Sequence, residues 1–558
     1  MKNKFKRLTC GALSLMLGLG TVMMSGCGGG DDLIEQEDET KTQLYVGVYD
    51  GGFGDSFVYD FKARFEEKYK DYQFSDGTVG VQVMIRAEKG YELTKLVNGV
   101  AGWDRDVYVS AAAWDYNKLA REGAFLDLTD IATEQLEGET TSIAGKMRKS
   151  YKDWFCIDGK YYGLPQYEAA SGIGYDVDLF NNNKLYINKQ YEDSSNLSKK
   201  FSCGENDANR AYGPDGEKGT YDDGLPATFE DFFDLCERMV EKSITPVIWA
   251  GKLQSYMSSV IASLYADHEG VEKVTNHFTF SGDIDVINGF NDDGTPKIGS
   301  VTLNGAENGY QAFKQPGIYY ALDFLYKIVE QKDRYYDYND CLGGGVDHLG
   351  AQELFVYGAA EGGDPIGFVV DGPWWYNEAK GAREDFVEEF PDIGEHRYAM
   401  LPMPKVSKAD VGKQTLMDSV MSCTFIPAAI DEYKQDIAKK FVQFCMMNES
   451  LSEFTRSTST TCPYDYTMSE EDLENTSYLG QSMYELHTAA DYVMPLNQTA
   501  IFLKNPTIAR GGNAFWGTEV PTIAFQRQVE GKAGGMTAQG FFNNMSTYFA
   551  NSWTTMLP

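Results

Sequence analysis

Aromatic and acidic side chains stand where predicted strands end, which are positions that could contact a ligand. Asp50 follows an apolar strand over Gln43–Tyr49, Trp114 follows a short strand over Asp106–Val109, and Trp249 closes another apolar run. Carboxylates accept hydrogen bonds from hydroxyl groups, and flat rings pack against apolar C–H faces. This is binding chemistry, and we expect Asp50, Trp114 and Trp249 to line a cleft.

The overall composition favours the same kind of ligand. The chain holds 36 Tyr, 32 Phe and 8 Trp, together with 83 acidic residues, and its net charge is −34. Aromatic and acidic surfaces suit carbohydrates, although most aromatic residues in any protein fill its cores. The negative charge argues against nucleic acid or anionic lipid as a partner of the folded body, because both would be repelled.

The residue types that most often carry catalysis form no recognisable pattern. Each of the five histidines stands alone in the sequence: His268, His277, His348, His396 and His487. The chain has neither a G-x-S-x-G elbow nor an H-E-x-x-H motif. A glycoside hydrolase needs only two well-placed carboxylates, so a secreted glycan-degrading enzyme stays the alternative to a binding protein.

Metal binding finds little support in the sequence. Seven cysteines follow Cys27 without a C-x-x-C pair or the spacing of a zinc site, and their odd number argues against a full set of disulfides. One stretch, 207–224, is dense in oxygen ligands and could hold calcium: it contains Asp207, Asn209, Asp215, Asp222 and Asp223. Its glycines do not match EF-hand spacing, which favours a solvated loop. We predict no cofactor.

The first residues have the pattern of an export signal. Four basic residues precede an apolar stretch over Leu8–Met24, and Ser25 and Gly26 stand before Cys27. This pattern resembles the lipobox of a bacterial lipoprotein, in which cleavage leaves a cysteine that carries a diacylglycerol. We predict a signal peptide over 1–26, lipidation of Cys27 with palmitate or a similar acyl chain, and a Gly-rich acidic tether over 27–41. An ordinary signal peptide with a chance cysteine is the alternative.

The hydrophobic periodicity predicts an α/β protein. After the strand over Gln43–Tyr49, apolar residues recur every four positions from Phe57 to Tyr69, and residues 79–85 alternate as a strand does. A strand over Asp106–Val109 and a helix over 114–122 follow. Strands that alternate with helices in this way form a parallel sheet.

Further elements are predicted along the rest of the chain. Thr228 begins a helix as a capping residue, Ile437–Cys445 has one apolar helix face, and Gly367–Val370 reads as a buried strand. Two polar stretches, 181–225 and 281–317, read as loop insertions.

Four segments of the chain, taken in order, carry a resemblance to one known protein family. The first two are Asp106–Thr129 and Gly159–Phe180, in which Asp176 stands where asparagine is usual. The last two are Ile366–Trp375, with a G-P-W motif, and Ala438–Pro463. In this order, and together with the lipobox, the segments resemble the extracellular solute-binding proteins of family 1, the group that contains maltose-binding protein. The resemblance spans about 42–550.

The resemblance implies a two-lobed fold of the type II periplasmic-binding-protein class, with a ligand cleft and a hinge between the lobes. Mapped onto this chain, lobe one is 42–165 plus 405–455, and lobe two is 166–404 plus 456–558. The implied function is that of a non-enzymatic, monomeric, substrate-binding lipoprotein of an ABC importer. Such a protein is anchored on the outer face of the cytoplasmic membrane, binds a sugar or an oligosaccharide, and delivers it to the permease subunits.

The resemblance also implies which residues bind the ligand. Trp374 occupies the position of the G-P-W tryptophan that stacks on the sugar, and Asp371 and Trp375 flank it. Tyr167 and Glu168 follow Pro165, close to where the family offers a glutamate from an inter-lobe strand. Trp516 corresponds to an aromatic residue in the last helices. We therefore predict ligand contacts for these residues and for Asp50, Trp114 and Trp249.

Overall fold

The computed structural model describes residues 36–89, 91, 103–112, 115–412, 414–418, 422–494, 499–505, 517 and 519–558. A four-stranded sheet forms the centre of its first lobe. Its strands, in spatial order, are Ser422–Phe425, Val107–Ala112, Thr42–Tyr49 and Val81–Glu88. The last three run parallel, with Val46 opposite both Ile85 and Val107. The predicted α/β layer with a parallel sheet is confirmed.

Helices cover this sheet through the apolar faces that the periodicity predicted. The helix Ser56–Lys68 buries Phe57, Phe61 and Phe65. The ring of Phe65 meets that of Phe441 edge to face at a centroid distance of 5.0 Å. The helices of this lobe are Ser56–Lys68, Tyr116–Arg121, Thr129–Thr133, Ile143–Lys146, Lys149–Phe155, Gln435–Cys445, Asn448–Thr458, Glu470–Glu474 and Tyr478–Ala489.

The second lobe has a mixed four-stranded sheet in the order Tyr398–Leu401, Gly172–Asp176, Ile366–Asp371, Thr245–Trp249. The strand Ile366–Asp371 is parallel to Thr245–Trp249 and antiparallel to Gly172–Asp176. Its α-helices are Val177–Asn183, Leu197–Lys200, Phe229–Glu241, Ser255–Thr279, Gly305–Asn308, Pro316–Val329, Tyr338–Cys341, His348–Tyr357, Trp375–Glu378, Lys380–Glu389, Ala500–Lys504, Pro521–Val529 and Ala538–Met556.

The capping signal at Thr228 is confirmed in this lobe. The Thr228 hydroxyl accepts a hydrogen bond from the backbone N–H of Asp231, and the Asp231 carboxylate accepts one in return from the Thr228 backbone. This reciprocal pair starts the helix Phe229–Glu241, whose buried face packs on the sheet.

The described residues form two separate hydrophobic cores, one in each lobe. The boundary predicted after residue 455 differs from this arrangement. Leu479, Met483 and Leu486 face the core of lobe one, because they share one face of the helix Tyr478–Ala489, and Tyr464 joins them. These four residues therefore pack with lobe one, whereas Val493 belongs to the core of lobe two.

Both predicted insertions contain regular structure instead of plain loops. Within 281–317, the strands Ser281–Phe290 and Pro296–Asn304 form an antiparallel hairpin. Within 181–225, Tyr186–Ile187 pairs with Phe201–Cys203 beside the helix Leu197–Lys200. The hairpin was missed because only one face is buried, so its strands are mostly polar.

Smaller elements complete the described chain. Two more short pairs are Thr415–Met417 with Asp491–Val493, and Cys156–Ile157 with Lys160–Tyr161. Short 3₁₀ helices span Lys189–Tyr191, Gly309–Lys314, Lys408–Asp410 and Glu432–Lys434. None of the described helices has the length and apolar character needed to cross a membrane. The seven cysteines after Cys27 are all unbridged.

Candidate functional site

Two loops, one from each lobe, approach each other at the candidate site. Asp50 follows the strand Thr42–Tyr49, and Asp371 ends the strand Ile366–Asp371. Both stand at the carboxyl ends of parallel strands, where α/β proteins usually bind ligands. The backbone of the first loop comes so close to Glu378 that a Cβ atom on Gly52 would lie 2.7 Å from its Oε1.

The Trp374 ring folds back over its own G-P-W motif. A Cβ atom on Gly372 would lie 2.1 Å from Cη2 and Cζ3 of Trp374, so the glycine leaves the space that the ring occupies. The ring lies edge-on to Phe53 of lobe one, at a centroid distance of 6.1 Å, and only 8% of Trp374 is exposed. Trp374 therefore sits at the junction of the lobes and packs with the core of lobe one.

A carboxyl–amide–carboxyl network lies beside Trp374. The Nε2 amide of Gln352 donates to Asp371 Oδ2 at 3.0 Å and to Glu378 Oε2 at 2.8 Å. The backbone N–H of Gly372 donates to the other oxygen of Asp371 at 2.8 Å. Burial raises the pKa of Asp371 to about 8, although the bond from Gln352 opposes that shift. Burial also raises the pKa of Glu378.

Tyr256 and His348 complete the surroundings of this network. The two rings stack at a centroid distance of 6.0 Å, and His348 Nε2 lies 4.0 Å from Glu378 Oε1. Burial, followed by the charges of Asp371 and Glu378, raises the pKa of the Tyr256 hydroxyl. Local sequence predicted no ligand contact for Gln352, Glu378, Tyr256 or His348, because none of them stands at a strand end or in a motif.

One side chain of lobe two binds lobe one directly. Asn377 Nδ2 donates to the carbonyl oxygen of Phe53 at 3.1 Å and to that of Thr458 at 2.9 Å. Phe53 also packs against the ring of Tyr167 at a centroid distance of 4.3 Å. These contacts hold the two loops of the site together.

The predicted site residues Tyr167 and Glu168 lie on the segment that crosses between the lobes, and both are fully buried. Glu168 Oε1 accepts a hydrogen bond from the Thr461 hydroxyl at 2.9 Å and contacts His487 Nδ1. Its Oε2 lies 3.3 Å from Arg148 Nε. Oε1 thus has hydrogen-bond partners, whereas Oε2 has an ion-pair partner but no hydrogen bond, and a ligand contact by Glu168 stays a prediction.

Two of the predicted tryptophans lie inside the core of lobe two. Trp375 and Trp249 have no exposed surface, because Trp375 packs against Phe355 and Tyr398, and Trp249 against Tyr336. Sequence position did not distinguish them from Trp374. Their contact with a ligand stays a prediction, and their packing is that of core residues.

Three predicted residues, Cys27, Trp114 and Trp516, lie outside the described residues. The stretch 207–224 is described, and there Asp222 is fully buried with a pKa raised to about 7 by burial and by the charge of Asp215. Within the described chain, no group of three or more His, Cys, Asp or Glu side chains is arranged to hold a metal ion.

Comparisons with known proteins agree with the fold. The profile of the family described as bacterial extracellular solute-binding protein matches residues 51–449. A comparison with curated protein sequences finds no match.

Three solved structures are similar over nearly their whole length. The first is a chitin oligosaccharide binding protein, with 14% identity, a TM-score of 0.53, and coverage of 92% of this chain and 99% of that one. The second, from Arthrobacter globiformis, binds cyclic α-maltosyl-1,6-maltose, with 12% identity, a TM-score of 0.52 and coverage of 92% and 100%. The third is an ABC substrate-binding protein from Listeria monocytogenes in complex with cycloalternan, with 14% identity, a TM-score of 0.50 and coverage of 93% and 100%. At these identities the likeness concerns the fold alone.

Proposed function

Because this chain belongs to the family of bacterial extracellular solute-binding proteins, we propose that it captures a sugar or an oligosaccharide between its lobes and delivers it to the permease of an ABC importer. The observation that carries the proposal is the site around Trp374. There an aromatic ring, an amide and two carboxyl groups of lobe two stand against the loop of lobe one that holds Asp50 and Phe53.

This combination of groups matches the chemistry of a sugar. A pyranose has an apolar C–H face that can stack on an indole, and hydroxyl groups whose hydrogens need acceptors when they leave water. Asp371, Glu378 and Gln352 supply such acceptors beside Trp374. The names of the three similar structures, each of which binds an oligosaccharide, support the same ligand class.

A ligand screen tests the proposal. Thermal unfolding of the mature protein should be measured with mono- and oligosaccharides, and each hit should be titrated by calorimetry. A ligand that binds only the folded state adds about 2.7 kcal/mol of stability at one hundred times its Kd. If no carbohydrate raises the unfolding temperature while another class of solute does, the carbohydrate assignment is wrong.

We propose that the lobes close on the ligand as in other two-lobed binding proteins. Small-angle scattering should then give a smaller radius of gyration for the Asn377→Ala variant after ligand addition, because the variant lacks the bonds to Phe53 and Thr458 that hold the lobes together without ligand. An unchanged radius at saturation would count against closure.

We propose that the protein binds the sugar without cleaving it. Incubation of each hit with the protein, followed by chromatography of the sugar, should return it intact. Release of shorter products would favour the hydrolase alternative instead, and the carboxyl groups near Trp374 would then be the first candidates for the acid and the nucleophile.

We also propose that the mature protein is lipid-anchored through Cys27. The basic residues, the short apolar stretch and Ser25-Gly26-Cys27 support this. Cells that express the protein should incorporate a labelled fatty acid into it and retain it in the membrane fraction, whereas the Cys27→Ala variant should do neither. Equal label and retention in the variant would contradict the anchor.

A further inference from the structure

Four carboxyl groups from both lobes converge on the candidate site, and we call them the carboxylate cluster: Asp50 and Asp55 of lobe one, and Asp371 and Glu378 of lobe two. Burial raises the pKa of Asp55, and the charge of Asp50 adds to that shift. The charge of Asp50 also raises the pKa of Glu378 across the junction of the lobes. Glu378 in turn acts on Asp371, so that these groups form one electrostatic unit.

Among the described residues, few positive groups act on Glu378. Those that act on Glu378 are His348, 4.0 Å away, and Lys89, which is exposed. The ring stacking with Tyr256 holds His348 at the edge of the cluster. The site is therefore rich in hydrogen-bond acceptors, and the described residues supply few cations that could stabilise an ionised acid there.

Two buried polar atoms at the same place have no hydrogen-bond partner among the described residues. The Nε2 of Gln352 bonds to Asp371 and Glu378, whereas its Oε1 is buried and unpaired. The Nδ1 of His348, at the edge of the same cluster, is also buried and unpaired. Buried polar atoms without partners are rare, and here they point to a ligand that supplies the missing partners.

We propose that the carboxylate cluster restricts the ligand to sugars without acidic groups, which deepens the proposed function and rests on it. Carboxylates and the Gln352 carbonyl accept hydrogen bonds, and only donors such as hydroxyl or ammonium groups satisfy them. A uronic acid or a sugar phosphate brings further lone pairs and an ionised group into a buried site. There its charge would lose hydration without gaining a cation, and burial already disfavours the ionised forms of the protein's own carboxyl groups. The cluster thus selects uncharged or amine-bearing sugars.

Matched pairs of oligosaccharides test this selectivity. The probes are maltotetraose, cellotetraose and β-1,4-galactotetraose, the same tetramers with their C6 hydroxymethyl groups oxidised to carboxylates, and the methyl esters of the oxidised forms. The methyl esters retain the oxygen atoms that oxidation adds, but they carry no charge. For at least one tetramer, we expect the neutral form to bind at least one hundredfold more tightly than the oxidised form, and the ester to recover part of that loss.

Variants assign the effect to the cluster. Glu378→Gln should lower the ratio of the affinity for neutral probes to that for oxidised probes about tenfold, because glutamine cannot carry the charge of glutamate but keeps the shape of its side chain. Glu384→Gln is the matched control, since Glu384 is an exposed glutamate on the following helix, Lys380–Glu389. If Glu378→Gln fails to fold by circular dichroism, Asp50→Asn on the opposite loop replaces it.

The outcomes separate this inference from the function on which it rests. Oxidised probes that bind as tightly as their neutral counterparts would overturn the selectivity and leave carbohydrate binding in place. If this affinity ratio is unchanged in both the Glu378→Gln and the Asp50→Asn variant, the cluster does not cause the selectivity. If no neutral, esterified or oxidised probe binds, the proposed function and the inference fall together.

Discussion

The side-chain amide of Asn377 in lobe two lies 3.1 Å from the backbone carbonyl of Phe53 in lobe one, and it reaches the carbonyl of Thr458 as well. Both acceptors belong to lobe one, so this amide is one of the contacts that hold the lobes in the observed arrangement. Asn377→Ala removes both hydrogen bonds at about 1 kcal/mol each. We expect ligand affinity to fall roughly five- to thirtyfold by calorimetry.

Asn544→Ala is a suitable control, because Asn544 is an exposed residue of the helix Ala538–Met556 in the same lobe. The Asn544→Ala variant should bind the ligand with the same affinity as the wild type. Equal affinities for both variants would mean that the Asn377 contacts do not stabilise the ligand-bound arrangement.

The glycine of the G-P-W motif positions the tryptophan. A methyl group on Gly372 would overlap the Trp374 ring, which is rigid and cannot yield at one edge alone. We expect Gly372→Ala to displace the ring and to lower ligand affinity at least tenfold. Changes in tryptophan fluorescence on ligand addition report the displacement. Wild-type affinity and fluorescence in the variant would show that the ring tolerates the methyl group.

Trp374 and Trp375 should behave differently although they are adjacent. Trp374 stands at the junction of the lobes, so Trp374→Ala should reduce affinity by about 1.5–3 kcal/mol through lost stacking area. Trp375 is enclosed by Phe355 and Tyr398, so Trp375→Ala should lower stability by about 3–5 kcal/mol. Calorimetric titration and chemical unfolding of both variants separate the two effects. A Trp374→Ala variant with normal affinity and low stability would place this ring in the core.

Periodicity predicted the central elements well because one face of each is buried. The helix Ser56–Lys68 and the strand Thr42–Tyr49 show regular apolar spacing for that reason. The hairpin Ser281–Phe290 with Pro296–Asn304 buries little more than Ile284, Val286 and Ile287, so its pattern is mostly polar and was interpreted as a loop.

The candidate site was only partly predictable. Trp374 and Asp371 belong to a motif, and Asp50 follows a strand, so local sequence identified them. Gln352 lies within the helix His348–Tyr357 and becomes a site residue only because the fold brings it to Asp371 and Glu378. Such a contact depends on tertiary packing, and no local pattern reports it.

A substitution of Glu168 tests whether its side chain stabilises the fold or contacts the ligand. Its carboxylate is buried with Arg148 and His487, and removal of one partner of a buried ion pair costs about 3–5 kcal/mol. We expect Glu168→Gln to lower the free energy of unfolding and to leave ligand affinity within a fewfold of the wild type.

A double-mutant cycle with Arg148→Met checks the assignment of Glu168, because residues in contact show coupling energies of about 0.5–3 kcal/mol. Loss of affinity in a Glu168→Gln variant of unchanged stability would instead support the ligand contact that the sequence predicted.

Acid should destabilise the protein through His277, which is fully buried in the core of lobe two. Its ring packs against Phe313, and Nδ1 lies 3.1 Å from Gln315 Oε1. Burial lowers the pKa of His277 from 6.5 to about 4. The unfolded chain therefore binds the proton first. The stability that the neutral ring provides is complete above pH 6.5 and is lost as the pH falls towards 4, by about 3 kcal/mol in total.

The His277→Phe variant isolates this effect, because it keeps an aromatic ring and removes the titrating group. The free energy of unfolding of the wild type minus that of the variant should decrease by about 3 kcal/mol between pH 7 and pH 4. His268→Gln, on the same helix but only partly buried, is the control and should not reproduce the change. Urea unfolding at several pH values measures both differences. A difference for His277→Phe that stays constant over this range would show that His277 takes up its proton equally well in the folded and the unfolded state.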